Sequence, residues 1–335
     1  MRSIMRSAMR RQIVAAVLTA LVTALPAAAQ PPGGTAEKKT AWTQPKTPWG
    51  DPDLRGMWPN GDMTGVPLQR PLQFGERAVL TDEEFAQRQE QIKRMFPGFV
   101  LGAWGEAGQA QRQASLIVDP PNGQLPALTA EGQRRSATLH STWQDIYWDS
   151  VEDFDIWDRC ITRGLPPSMM PMQYNNGIEI HQAPGYVVIR LEMIHEARIV
   201  PVDKRPPLSP AIRQWMGESR GHWEGNTLVV ETTNFNGKTI ATNVGTTGSP
   251  PGNNIPVSTS MRMIERFTRV DNDTINYEVT VDDPVVFTSK WKVSYPLHRD
   301  PKYVIYEYAC HEGNTAIPNY ISASRAERAA QEAAK

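Results

Sequence analysis

The chain lacks the signatures that would name a chemistry. It has no phosphate-binding Gly-x-x-x-x-Gly-Lys loop, no Gly-x-Gly-x-x-Gly run and no alternation of strands with helices. A nucleotide-binding α/β fold is therefore not supported. Its six histidines offer no His-x-x-x-His pair, and no helical zinc pattern appears. Ser141 and Ser219 sit in no nucleophile elbow. Charge of one sign is not in excess, with 35 Lys and Arg against 36 Asp and Glu. Nothing in that balance favours nucleic acid or an anionic membrane. The acidic run 143–157 carries five Asp and Glu, but without the spacing of a calcium loop. The one apolar run near the N-terminus, Ile13 to Leu25, is shorter than the roughly 20 residues of a membrane span.

That run belongs to a signal peptide, read over 1–29. Arg2, Arg6, Arg10 and Arg11 form its basic end, and Ala27-Ala28-Ala29 supplies the small residues before Gln30. Arg10-Arg11 is weakly similar to a twin-arginine signal, and the general secretory route fits better. No cysteine stands at the cleavage point, so a lipoprotein anchor is not supported. Losing the four arginines takes the formal charge from −1 to −5. The expected location is periplasmic or secreted, with no integral membrane segment in the mature chain. Cysteine is nearly absent. Cys160 and Cys310 are the only two, and in an exported chain two cysteines most often pair. Closing a loop of that length stabilises by about 4–5 kcal/mol on the chain-entropy view.

Proline (28), glycine (24) and tryptophan (10) are plentiful. Many turns follow from the first two, and large buried rings from the third. Residues 30–46 read as a disordered leader. Residues 47–170 read as a wrapping region in which Trp49, Leu54 and Trp58 fasten an extended segment to the body. It contains two or three short helices: Thr81-Asp-Glu-Glu84 is a capping box opening a helix over about 82–96, and Thr129 caps another over about 130–142, weakened by Gly132. Residues 171–322 read as an antiparallel β domain. Tyr174–Asp203 gives three strands around the turn Ala183-Pro184-Gly185; Trp223–Thr227 makes a hairpin into 228–233; 261–270, 274–281, 285–295 and 303–310 bring the total to eight or nine. A short helix is expected from Ser209-Pro210 through Trp215. The polar loop 238–256 is a possible lid, and 323–335 an exposed C-terminal helix. The fold class expected is mainly β: an antiparallel meander closing as a lipocalin-like barrel, or packed as a sandwich.

The motifs Thr47-Pro-Trp-Gly-Asp-Pro-Asp-Leu, Arg159-Cys-Ile-Thr-Arg-Gly-Leu-Pro, Glu192-Met-Ile-His-Glu-Ala-Arg, His222-Trp-Glu-Gly-Asn-Thr-Leu-Val-Val-Glu-Thr-Thr-Asn-Phe and Tyr308-Ala-Cys-His-Glu-Gly-Asn carry a resemblance. Together they resemble an uncharacterised family of secreted bacterial proteins, from soil and aquatic acidobacteria and proteobacteria, across nearly all of the mature chain. That resemblance implies export and brings no activity with it. The strand runs are separately similar in style to lipocalin-like barrels, a likeness of fold alone.

Two runs join a histidine to a carboxylate: Glu192 with His195, and His311 with Glu312 directly after Cys310. Such pairs act as general bases or metal ligands; they also serve simply to satisfy turn backbone. On a plain strand Glu192 and His195 would face opposite ways, so joint action needs a bend. Arg198 offers a fixed positive charge, and Tyr174, Trp215 and Tyr308 offer rings for a pocket wall. Three functions remain: binding of a small apolar or aromatic molecule; a hydrolase or lyase using Glu192, His195, Arg198, His311 and Glu312, with metal and cofactor unspecified; or an envelope interaction protein with no small-molecule site, which the polar runs and the 238–256 loop disfavour.

Overall fold

Side chains that alternate between buried and half-buried mark the strands. The computed structural model describes residues 42–95, 110–142, 144, 147–243 and 245–335. The expected signal peptide and the expected leader up to residue 41 lie outside the described residues, as do Trp143, Asp145 and Ile146. Among the described residues ten strands form: β1 (Gly56–Met57), β2 (Ile117–Asp119), β3 (Ile178–Ala183), β4 (Tyr186–Leu191), β5 (Ala197–Pro201), β6 (Glu218–Glu224), β7 (Thr227–Thr233), β8 (Arg262–Arg269), β9 (Thr274–Asp282) and β10 (Trp291–His298). Along β10 burial alternates at every residue, with Trp291, Val293, Tyr295 and Leu297 turned in. That is the period of two expected of β-rich sequence with one face in a core.

The strands build two antiparallel sheets. One is ordered β1-β3-β4-β5 and the other β2-β10-β9-β8-β7-β6. Neither pairs its first strand with its last, so the expected barrel is not closed. The sheets share one core: Ile180, Ile189 and Val200 of the first pack in the same cluster as Val230, Phe267 and Tyr277 of the second. Two sheets over one core are compatible with a sandwich. The N-terminal region contributes an edge strand to each sheet, and Leu54 and Trp58 are fully buried. The end of the expected leader is held down, with Gln44 buried and its Nε2 donating to the Asp53 carbonyl at 3.1 Å.

Among the described residues three α-helices are present: α1 (Asp82–Met95), α2 (Ala130–Thr138) and α3 (Ala316–Ala333). The capping box at Thr81 forms, with the Thr81 amide donating to Glu84 at 2.9 Å. Thr129 caps α2 through the Gly132 amide. Gly132 is needed there for space, because a Cβ would stand 2.3 Å from the Val286 carbonyl oxygen. None of the helices is long and apolar enough to cross a membrane, among the described residues.

Four expectations need correction. The segment 209–215 is not a helix; after one turn, from the Ile212 amide to the Ser209 carbonyl, Gln214 is drawn into backbone bonds with Asn234 and Asn236. Residues 303–310 do not form a strand, because their bonds run to side chains at the end of β4 instead of to a neighbouring strand. The 238–256 loop is no free lid, since Thr239, Ala241, Asn243, Thr246 and Asn253 are all buried. The C-terminal helix begins earlier than 323 and is anchored: Tyr320 packs edge-on against Trp148, and the Ser324 hydroxyl accepts the Trp148 amide.

Candidate functional site

At the end of β4 the chain leaves the sheet in a tight turn. Ile194 and His195 adopt φ +58° and +43°, and the Leu191 amide closes the turn on the Glu196 carbonyl at 2.8 Å. A β-branched residue in the left-handed region is strained. The turn supplies the bend that a strand would have denied, and Glu192 and His195 come to line the same concavity.

Their roles in it differ. Glu192 is 1% exposed. Its carboxylate accepts from the Gly177 amide at 3.1 Å, the Tyr303 hydroxyl at 2.5 Å and the Tyr306 amide at 3.1 Å. A buried carboxylate demands such partners, and here they pin 303–306 against the sheet end. His195 is exposed, with Nδ1 3.1 Å from the Tyr308 carbonyl. A carbonyl only accepts, so Nδ1 carries a proton in this contact.

The wall behind is aromatic. The Tyr308 hydroxyl accepts from Trp157 Nε1 at 3.1 Å, and burial pushes the phenol up from its ordinary value. The Arg163 guanidinium lies 5.6 Å over the Trp157 ring, a cation–π contact. Arg163 is 3% exposed, its Nε and Nη2 have no hydrogen-bond partner among the described residues, and burial lowers its pKa to about 10. The Cys160–Cys310 disulfide, with Cα atoms 5.7 Å apart, fixes the chain just before His311 and Glu312, both exposed.

The resulting concavity holds about 410 Å3 and brings together Glu192, His195, Tyr308, His311 and Glu312. Tyr306, which the sequence reading passed over, joins them. Arg198 does not. It lies on β5 where alternation turns it inward, between exposed Ala197 and Ile199, and it pairs with Glu265 of β8 across the core at 2.9 Å. Burial opposes its charge, but Glu265 outweighs burial and raises the Arg198 pKa. Tyr174 packs instead in a small satellite cluster with Trp157, Met172, Met193 and Ile194. Trp215, half-buried in the turn before β6, lines neither this concavity nor the one beside Arg198. Among the described residues, no group of three or more His, Cys, Asp or Glu is placed to hold a metal ion.

Arg163 and Tyr306 had weak signals in sequence. Arg163 stood inside the Arg159–Pro166 motif, but nothing local says that it is buried. Compared with protein-family models, curated proteins and solved structures, the chain matches none. The geometry above therefore carries the functional argument by itself.

Proposed function

We propose that the protein is exported and binds a small, flat aromatic molecule in the concavity between 190–195 and 305–312. The lining carries this reading. His195, Tyr306, Tyr308 and His311 offer four rings around about 410 Å3, a volume typical of small-molecule sites. Tyr306 stands 72% exposed, a ring that a ligand would cover. His195 Nε2 and Glu312 supply polar ends for orientation. The scaffold reads as a two-sheet sandwich whose interior is filled by side chains, so the ligand sits at the sheet ends. Glu192 argues against acid–base chemistry as the first reading, because three donors already occupy its oxygens and a general acid or base must be free to exchange a proton with substrate.

A hydrolase or lyase is the second reading, favoured by the exposed His195 imidazole, which lines the concavity beside Glu192, His311 and Glu312. Titration with indole and with p-cresol, followed by tryptophan fluorescence, tests the first. Tyr306→Ala and His311→Ala should each weaken binding about tenfold. Unchanged affinity in both variants would remove the site. For the second, His195→Ala should abolish turnover of a substrate while its affinity is retained.

A further inference from the structure

The concavity beside Glu192 carries a charge that its rings alone do not explain. Its lining includes three carboxylates, Glu192, Glu307 and Glu312, and one guanidinium, Arg190. Arg190 is already matched, by Glu179 at 3.1 Å, and Glu179 stands outside the lining. Glu192 is held by neutral donors only, two amides and a phenol. Glu307 and Glu312 are exposed, and neither forms an ion pair among the described residues. Behind the wall, Arg163 and Asp158 act on the Tyr308 phenol with opposite sign, so they leave this balance as it stands. The imidazoles of His195 and His311 carry no fixed charge. The lining is therefore negative, with no unmatched cation. Low-dielectric walls focus such a field in a concavity, where a convex surface would let water spread it.

The rings give a second, independent sign. Elsewhere the protein covers its outward tyrosines. The Arg328 guanidinium lies 5.4 Å over Tyr147, and that of Arg205 lies 5.2 Å over Tyr186. Tyr320, 50% exposed, packs edge-on against Trp148 and Phe154. Tyr306 is more exposed than any of these, at 72%, and among the described residues it has neither a cation nor a ring against it. A tyrosine face attracts a cation within about 6 Å of its centre. Carboxylates without a cation and a ring without a cation thus meet in one concavity.

We propose that the ligand of this concavity is an organic cation, an aromatic ammonium compound whose charge is met by the Tyr306 face and by Glu307 and Glu312. This rests on the small-molecule reading above and adds the sign of the ligand's charge to it. An aromatic carboxylate is the wrong ligand, because it would bring a further negative charge beside three that have no cation. A bare metal ion is also the wrong occupant. It needs several ligand atoms converging on one point, and no group of three or more His, Cys, Asp or Glu is so placed among the described residues. An ammonium group on an apolar body needs no such convergence: the field and the ring face hold it.

The probes are benzylamine, benzyl alcohol and benzoate, which share a ring and differ in charge, titrated at about pH 7.5 beside indole and p-cresol. Benzylammonium should bind about tenfold more tightly than benzyl alcohol, and benzoate more weakly than either. Raising sodium chloride from about 20 mM to about 500 mM should shrink that preference. Glu307→Gln with Glu312→Gln alters two exposed side chains, so the fold is kept, and it should bring benzylammonium to within about twofold of benzyl alcohol. Tyr306→Leu keeps an apolar side chain but removes the ring face, and should cut the preference severalfold. Equal affinity for benzylammonium and benzyl alcohol would overturn the proposal, as would a preference that survives the double variant. If indole and p-cresol bind while charge makes no difference, the aromatic reading stands and this inference falls. If none of the five compounds binds, both fall.

Discussion

Glu192 and Arg198 are both buried charges at the β4–β5 turn, and they solve the same problem in opposite ways. Glu192 is satisfied by donors from outside its sheet: a backbone amide before β3, a tyrosine hydroxyl and a backbone amide of the irregular 303–306 segment. Arg198 is paired with one carboxylate from the facing sheet, with the Tyr277 hydroxyl donating to the same Glu265 at 2.9 Å and Ser219 accepting at 3.3 Å, while its Nε has no acceptor among the described residues. The first charge fastens a loop to a sheet end; the second fastens two sheets to each other. Burial falls on both, but only the loop clamp opens onto the concavity with the histidines. A buried charge in this molecule marks a joint, and what the joint holds decides whether it is near a site.

Removing one partner of the inter-sheet pair should have the largest effect. Arg198→Ala leaves Glu265, 0% exposed, without its cation, and such a break costs about 3–5 kcal/mol. Urea unfolding should show it. Replacing the whole group, as Arg198→Met with Glu265→Leu and Tyr277→Phe, should recover most of the loss, since well-packed apolar side chains replace a buried pair at little cost. If the single and the triple variant are equally destabilised, the pair is not what joins the sheets.

Next comes the loop clamp. Glu192→Ala strands three donors and should cost about 2–3 kcal/mol. Its distinguishing effect is local: hydrogen exchange at the Tyr306 amide should accelerate while β8 and β9 stay protected. Arg198→Ala should give the reverse pattern. Exchange that rises everywhere in both variants would erase the distinction between the two joints.

The contrast also explains what could be read in advance. Strands β3 to β5 and β7 to β9 announced themselves because Val, Ile and Tyr alternate with polar residues, and period two is visible locally; β6, Glu218-Ser-Arg-Gly-His-Trp-Glu, carries no such run, and β10 lies at Trp291–His298 rather than at the expected 285–295. Thr81 and Thr129 were readable as caps for the same reason: a cap acts within four residues. The Cys160–Cys310 bridge followed from there being no third cysteine. Residues 303–310 misled because Tyr303, Ile305 and Glu307 alternate like a strand, while their partners are the Glu192 carboxylate and the His195 ring, distant in sequence. Arg198 misled because proximity to His195 along the chain suggested a shared site; strand alternation sent it to the opposite side. Gly132 read as a weak helix residue, and the reason for it, the Val286 carbonyl, lies on another part of the fold. The open barrel was unreadable too, because closure depends on whether β5 and β6 meet, and no local pattern encodes that.

The smallest effect belongs to a charge pair that lacks full burial and so serves as a control on the other two. His298 ends β10, and its Nδ1 lies 2.7 Å from Asp62 of the N-terminal region. The hydrogen bond to Asp62 raises the His298 pKa above its ordinary 6.5, and partial burial opposes the rise without cancelling it. A histidine whose pKa is higher folded than unfolded binds its proton more tightly in the native state. Its contribution is then complete below about pH 6.5, the unfolded value, and is lost as pH rises through the folded value. The imidazole is 37% exposed, so solvent screening holds the contribution to about 1 kcal/mol or less. The melting temperature of the wild type should exceed that of His298→Gln by more at about pH 6 than at about pH 8, by a few degrees at most. A difference that stays constant across that range would mean that the pair is not charged in the native state. A difference as large as that of Arg198→Ala would mean that burial is not what separates the strong joints from the weak one.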